Sequence, residues 1–304
     1  MDVTYPGAVP PERHRMLTSL GLRLHVAEWG DPQAEPLLLL HGFYDHVHAF
    51  DLLAPLLAQR FRVVAYDARG HGESEWPDAY AWQADVLDAV NVLRDLGPSV
   101  CVVGHSRGGG LATDMAAFFP DPVRKLVVLD GFGPPPLTHA NFFQQRRLRR
   151  ATSEQLGEWL DWRRSVASRR NFQPAASYDE LARRRQVQNP RLSLEWLRYF
   201  AAHGSRKVKG GFAWSFDPLA SRPIGPFRPE WAAPGWRRLR APMLAVIGSE
   251  PDTWGPLPEE ILAERLSHAP VVTRATVQGA GHFMHIEKPR ETAQLILDFL
   301  AERT

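Results

Sequence analysis

The alternation of short apolar runs with amphipathic runs constrains the fold of this chain more than any other feature. Strand-like runs in the first part read "LRLHVAEWG", "PLLLLHG", "FRVVAYD", "VCVVG" and "VRKLVVLD". Between them, runs with helical spacing read "AFDLLAPLLAQ", "YAWQADVLDAVNVLRDLG" and "LATDMAAFF". Continuous apolar strands that alternate with helices predict an α/β protein with a mostly parallel sheet covered by helices on both faces.

This alternation stops after Asp130 and resumes about one hundred residues later. "GFGPPPL" indicates a linker, and the chain then has helical character and many aromatic residues as far as Trp231. The core pattern returns with "PMLAVIG", "LPEEILAERL", "VVTRATV" and "RETAQLILDFLAER". We therefore expect a core formed by residues 1–133 and 232–304, with a helical cap, residues 134–231, inserted after the strand "VRKLVVLD".

Charge is distributed unevenly along the chain, although the formal net charge is only +2. Residues 141–240 contain 21 arginines and lysines against 8 acidic residues. Three interpretations stay open: a solvated face, a surface that docks the cap on an acidic core, or a surface that attracts anionic substrates. No recognisable nucleic-acid-binding module accompanies the charge, so we expect no nucleic-acid partner.

Cysteine content and hydropathy limit which stabilising sites and which cellular location we expect for this protein. The single cysteine, Cys101, excludes an intramolecular disulfide and a multi-cysteine zinc site, and its apolar surroundings predict a buried small side chain. The first 17 residues lack the apolar region of a secretory signal, and no later apolar run reaches membrane-span length. We expect a cytoplasmic protein without a membrane span, either a monomer or a homodimer.

"GHSRGG" places Ser106 between glycines, directly after a predicted strand and before a predicted helix. A tight strand-to-helix turn strains the backbone of such a serine and exposes its hydroxyl above the sheet. The N-terminus of the following helix directs free N–H groups at the same place. The pattern therefore predicts that Ser106 is a nucleophile.

A serine hydroxyl needs a base to remove its proton, and His282 is the best candidate among twelve histidines. It lies in "QGAGHFMHIEKP", a glycine-rich loop between the last predicted strand and the last predicted helix. His105 adjoins the nucleophile but is expected to point elsewhere, and His285 is expected to be a packing or helix-start residue.

The ordered motifs "LLLLHGF", "VVAYDARGHGESEW", "GHSRGG" and "GAGHFMHIEKP" resemble the α/β-hydrolase superfamily, in its form with an inserted cap. The resemblance covers nearly the full length and implies the chain order nucleophile, acid, histidine. Asp252, in "VIGSEPDTW", is the acid that this resemblance favours. Asp130, at the end of the predicted strand "VRKLVVLD", is the alternative, because some members carry the acid there.

The resemblance also implies an oxyanion hole made by the backbone N–H groups of Phe43 and Arg107. The Arg107 side chain is then free for another role, and a salt bridge to the core is favoured over pairing with a substrate carboxylate. No phosphate loop or dinucleotide motif is found, so we expect no cofactor and no metal. Epoxide hydrolases and haloalkane dehalogenases of this fold use an aspartate at the elbow, where this chain has serine.

The sequence thus predicts a cofactor-independent serine hydrolase for a small-molecule ester, thioester or lactone with a hydrophobic part. Carbon–carbon bond hydrolysis of a diketone-type substrate and a haloperoxidase-like reaction stay open as alternatives. A ligand-sensing receptor on a retained hydrolase fold is the rival from another class. Aromatic residues at eight positions are candidates to line a pocket under the cap: Trp76, Trp159, Trp162, Trp196, Phe212, Trp214, Phe216 and Trp231.

Overall fold

An eight-stranded sheet forms the centre of the computed structural model, which describes residues 3–133, 152–166, 173–224 and 232–302. The strands in these ranges are β1 Arg13–Ser19, β2 Leu22–Trp29, β3 Pro36–Leu40, β4 Arg62–Tyr66, β5 Val100–His105, β6 Val123–Leu129, β7 Ser205–Val208, β8 Gly211–Trp214, β9 Met243–Gly248 and β10 Val272–Val277. The order across the large sheet is β1-β2-β4-β3-β5-β6-β9-β10. β2 pairs antiparallel with β1 and β4, and the remaining neighbours are parallel. The prediction of a mostly parallel sheet is confirmed.

Helices of the core cover both faces of this sheet. The helices of the described ranges are α1 Ala54–Leu57, α2 Trp82–Leu96, α3 Arg107–Phe118, α4 Thr152–Val166, α5 Tyr178–Gln186, α6 Leu194–His203, α7 Glu259–Leu266, α8 Met284–Glu287 and α9 Pro289–Ala301, with 3₁₀ turns at Val47–Phe50, Pro218–Ser221 and Ala233–Arg238. Alternate strand residues face opposite layers. Leu38 packs in the cluster with α2, α3 and α7, whereas Leu37 and Cys101 pack in the cluster with α1 and α9. Cys101 is fully buried, as predicted.

Local departures from the predicted elements have physical causes. β1 was not predicted, because its alternation places charged and polar residues along an exposed edge strand. The continuous helix predicted from "AFDLLAPLLAQ" is wrong: the structure has the 3₁₀ turn Val47–Phe50 and then the short α1. Pro55 lies at the start of α1, where its missing N–H is tolerated, and it could not continue a preceding helix.

The segment between the two halves of the core contains α4, α5 and α6, but it is not entirely helical as predicted. β7 and β8 form a hairpin in "SRKVKGGFAW", where Gly210 and Gly211 adopt φ angles of 94° and 143°. Such positive φ angles favour glycine and permit the tight reversal. Residues 134–137 of the predicted linker "GFGPPPL" and the aromatic residues Phe142, Phe172 and Trp231 lie outside the described residues.

We call the described residues 152–166 and 173–224 of this inserted segment the cap, and they contact the core through apolar side chains and ion pairs. Trp196 and Phe200 of α6 lie in one buried cluster with Ala49 and Phe283 of the core. Arg191 pairs with Glu287 at 2.7 Å, one of several contacts between the basic segment and acidic groups of the core. Docking on acidic core residues therefore accounts for part of the arginine excess. In the ranges that the structure describes, no helix has both the length and the apolar character of a membrane span.

Candidate active site

Ser106 lies at the elbow between β5 and α3, with φ 53° and ψ −121°. Its backbone N–H donates to Leu129 O at 2.9 Å, which fixes the turn against β6. The flanking glycines are required by close packing. A Cβ at Gly104 would lie 2.3 Å from Gly108 O, and a Cβ at Gly108 would lie 2.2 Å from Leu40 O. The strained turn predicted from "GHSRGG" is therefore present at Ser106.

The ring of His282 is held by a carboxylate at the end of β6. Its Nδ1 lies 2.5 Å from Asp130 Oδ2, and each side chain is only 6% exposed. Asp130 has a left-handed φ of 45°, and its N–H donates to Val246 O at 2.8 Å. Gly255 covers this carboxylate so closely that a Cβ there would lie 2.3 Å from Asp130 Oδ2. A buried charge-assisted hydrogen bond of this kind fixes the ring and leaves Nε2 for the substrate side.

The prediction that Asp252 contacts the His282 ring is wrong, because Asp130 makes that contact. Asp252 Oδ2 instead accepts the backbone N–H of His282 at 2.7 Å. Its Oδ1 accepts the backbone N–H groups of Trp254 at 2.7 Å and Gly255 at 3.1 Å. Asp252 therefore organises the two loops that flank the site, and Asp130, the alternative acid, takes the position beside Nδ1.

Ser106 and His282 open into one small cavity of about 110 Å³, the serine cavity, whose walls include Phe43, Tyr44, Ser106, Arg185, Gln188 and His282. Among the hydrogen bonds of the described residues, none joins Ser106 Oγ to His282 within 3.5 Å. Such bonds are commonly long in ligand-free enzymes and shorten when substrate binds. The arrangement places a strained serine and a carboxylate-bound histidine at the same cavity.

Two backbone N–H groups border the serine. Arg107 is the first residue of α3, and Phe43 lies in the loop after β3. Neither N–H donates to another described group. A Cβ at Gly42 would lie 3.3 Å from Ser106 Cβ, so this loop passes directly beside the nucleophile. The two groups are therefore available for a negatively charged oxygen.

The Arg107 side chain turns into the core, as predicted. Its Nη2 lies 2.6 Å from Asp85 Oδ2, and its guanidinium lies over the rings of Trp82 and Phe43 at 5.5 and 5.9 Å. The guanidinium is thereby held away from a substrate carboxylate by an acidic partner and two aromatic faces.

The neighbouring histidines are buried and neutral. Nε2 of His105 donates to the His282 carbonyl at 3.0 Å, and burial keeps the pKa of His105 well below its ordinary value. His285 is fully buried, and burial lowers its pKa to about 3. Neither nitrogen of His285 has a hydrogen-bond partner among the described residues. His105 also lines the serine cavity, but its Nε2 is bonded to the His282 carbonyl and not to Ser106, and His285 is a buried packing residue, as expected from the sequence.

A larger cavity of about 500 Å³, the cap cavity, adjoins the serine cavity. Its walls include Tyr44, Trp76, Arg185, Arg206, Trp214 and Phe216. Tyr44, Arg185 and Gln188 line both cavities. Three of the predicted aromatic residues thus line it, whereas Trp196 is only 1% exposed and belongs to the packing between cap and core.

Sequence reasoning missed three residues of the site. Tyr44 and Asp45 follow Phe43 in the same loop, and Arg185 lies in α5 of the cap. Arg185 pairs with Asp45 at 2.6 Å, although 140 positions separate them. The sequence signal for this pair was the acidic residue in "HGFYDH", directly after an apolar strand. The sequence does not indicate which basic residue pairs with it.

Comparison with known proteins agrees with this architecture. The model of the alpha/beta hydrolase family matches residues 37–295, so the chain belongs to that family. A "Serine hydrolase-like protein" of Danio rerio is 28% identical over 288 residues, which cover 90% of this chain and 83% of the relative. "Epoxide hydrolase 4" of Mus musculus is 35% identical over 114 residues, which cover 36% of this chain and 32% of the relative.

Among solved structures, the chain is similar to the "Thioesterase Domain From Curacin Biosynthetic Pathway". The TM-score is 0.80 and the identity 24%, and the similarity covers 94% of this chain and 99% of that domain. At this level of identity the likeness concerns the fold alone.

Proposed function

We propose that this protein is a serine hydrolase that cleaves a carboxylic ester, thioester or lactone through an acyl-enzyme on Ser106. The observation that carries the proposal is the buried bond between His282 Nδ1 and Asp130 Oδ2 at 2.5 Å, beside a serine at a strained elbow in the same cavity. Ser106, His282 and Asp130 are the proposed triad, with Asp252 as a residue that holds the surrounding loops.

In the first half of the reaction, Ser106 Oγ attacks the substrate carbonyl carbon while its proton passes to His282 Nε2. The Asp130 carboxylate stabilises the imidazolium that forms. The N–H groups of Phe43 and Arg107 stabilise the negative charge on the former carbonyl oxygen. The tetrahedral intermediate then collapses, the bond to the leaving group breaks, and His282 returns the proton to that group.

In the second half, a water molecule attacks the acyl carbon and gives its proton to His282 Nε2. The same two N–H groups stabilise the second oxyanion, and the proton returns to Ser106 Oγ as the carboxylic acid leaves. The sequence of steps consumes one water and requires no cofactor, since the acid, base and nucleophile are all side chains of this chain.

The cap cavity supports a substrate with a hydrophobic part. Tyr44, Trp76, Trp214 and Phe216 supply aromatic walls, and a space of about 500 Å³ has the size of a typical small-molecule site. Arg206 lies over Trp76 at 4.2 Å and brings a positive charge to the same wall. This arrangement favours an acyl or alcohol part that is mostly apolar and carries an anionic group at its far end.

Serine at the elbow distinguishes this proposal from epoxide hydrolysis, the reaction in the name of the mouse relative. Within this fold that reaction uses an aspartate at the position of Ser106, and the nucleophile determines which covalent intermediate can form.

We also propose a cytoplasmic location and a monomeric or homodimeric state. Cell fractionation would test the location, and gel filtration would test the oligomeric state.

Hydrolysis of a panel of p-nitrophenyl esters, from acetyl to long acyl chains, tests the proposal. We expect turnover by the wild type, with kcat/KM rising as the acyl chain fills the cap cavity, and loss of turnover in Ser106→Ala. Binding without turnover across the whole panel would contradict the proposal and favour a ligand-sensing protein.

A further inference from the structure

The loop that carries Phe43 is a tight turn with one strained residue. Asp45 N–H donates to Gly42 O at 3.3 Å, and Tyr44 between them has a φ of 61°. A bulky residue in this left-handed region persists only where its surroundings hold it. The direction of the Phe43 N–H group therefore depends on whatever fixes this turn.

Arg185 of the cap holds this turn through two hydrogen bonds. Its Nη1 donates to Tyr44 O at 3.0 Å, and its Nη2 donates to Asp45 Oδ1 at 2.6 Å. The Arg185 side chain is 9% exposed and the Asp45 side chain 3%, so the pair is almost dry. A guanidinium can reach a carbonyl and a carboxylate at once because its donors form a rigid fork, which a lysine ammonium lacks.

Asp45 extends the contact inward to the turn beside the nucleophile. A Cβ at Gly42 would lie 2.6 Å from Asp45 Oδ2, so this carboxylate packs directly against the turn. The same oxygen lies 3.8 Å from His105 Nδ1, which is beyond hydrogen-bond distance. One cap arginine is thus linked through one carboxylate to the turn beside Ser106.

We propose that Arg185 is a positioning residue that holds the Phe43 N–H group in place for the oxyanion, so that the seating of the cap controls the rate of the chemical step. The inference rests on the serine-hydrolase function proposed above. Arg185 and Tyr44 also line both cavities, so a substrate group in the cap cavity contacts the same residues that set the turn.

The test compares Arg185→Ala and Arg185→Lys with Arg183→Ala, a control on the exposed face of the same helix. Removal of one oxyanion donor typically lowers kcat by about 10²–10³-fold, so its displacement should lower kcat by about 10–100-fold with a much smaller change in KM. Millimolar guanidinium chloride, compared with sodium chloride at equal ionic strength, should restore part of the kcat of Arg185→Ala. It should not raise the kcat of the wild type or of Arg183→Ala.

Arg185→Lys keeps the positive charge beside Asp45 and guards against misfolding of the alanine variant. It should lose at least about tenfold in kcat, because an ammonium does not reproduce the forked contact. Wild-type kcat in folded Arg185→Lys, or a loss confined to KM, would overturn the inference while an active wild type kept the proposed function intact. An inactive wild type would overturn the proposed function, and this inference with it.

Discussion

Asp130 and His282 are 152 positions apart in the chain, yet Asp130 Oδ2 lies 2.5 Å from His282 Nδ1 in a site where both side chains are nearly buried. The bond assigns the proton of the neutral imidazole to Nδ1 and leaves the lone pair on Nε2. It also places a negative charge where an imidazolium would form.

Asp130→Asn should lower kcat by about three to four orders of magnitude, because the amide favours the wrong tautomer and no longer supports the imidazolium. Asp252→Asn is the matched control, since among the described residues the Asp252 carboxylate accepts hydrogen bonds only from backbone N–H groups of the loops. It should cost roughly tenfold, the scale of one lost hydrogen bond. Steady-state kinetics on one ester checks both, and the opposite ranking would transfer the acid to Asp252.

His285→Leu should make the protein less sensitive to acid. His285 is fully buried, and its folded-state pKa of about 3 lies below the ordinary 6.5, so the unfolded chain binds the proton more readily. Protonation of His285 in the unfolded chain therefore lowers the free energy of unfolding. This effect is absent above about pH 6.5 and grows as the pH falls toward 3. Between pH 7 and 5 the wild type should lose about 2 kcal/mol more unfolding free energy than the variant.

Urea unfolding at the two pH values measures this difference. His268→Leu serves as the control, because the His268 ring is 32% exposed and pairs with Glu264 at the surface. At pH 7, His285→Leu should be as stable as the wild type or more stable, since both ring nitrogens lack partners among the described residues. An identical pH dependence in wild type and His285→Leu would refute the account of this residue.

Arg206→Met should reduce kcat/KM for an ester with a distal carboxylate and leave a neutral ester of equal length little changed. Arg206 lies over Trp76 on the wall of the cap cavity, and no acidic side chain of the described residues pairs with it within 4.0 Å. The expected loss is up to about fivefold, the scale of an exposed charge pair, and added salt should lessen it. Arg198→Met is a control, because Arg198 pairs with Asp179 outside the cavity.

The positions of Ser106 and His282 could be predicted from the sequence because their local backbone geometry requires glycines nearby in the chain. Ser106 was found from the glycines that its elbow requires, and His282 from its glycine-rich loop. The acid was misjudged for a physical reason: β6 and β9 are neighbours in the sheet, so the loops after both strands bring an aspartate to His282. Chain spacing cannot tell which of the two carboxylates meets the ring and which meets the backbone.

The contacts between cap and core could not be predicted for a related reason. The pairing of Arg185 with Asp45 depends on how α5 lies against the loop after β3, and no periodic pattern encodes that placement. The hairpin β7–β8 was missed because its strands have only four residues each and β7 is mostly polar, although Gly210 and Gly211 mark its turn.

The central claim is that Ser106 is the nucleophile, and covalent labelling tests it most directly. After incubation with a fluorophosphonate, intact mass and peptide mapping should locate a single adduct on Ser106 in the wild type and none in Ser106→Ala. His282→Ala should label much more slowly, because the base that removes the proton is absent. An adduct on a different residue, or an unlabelled wild type that is folded, would contradict the account.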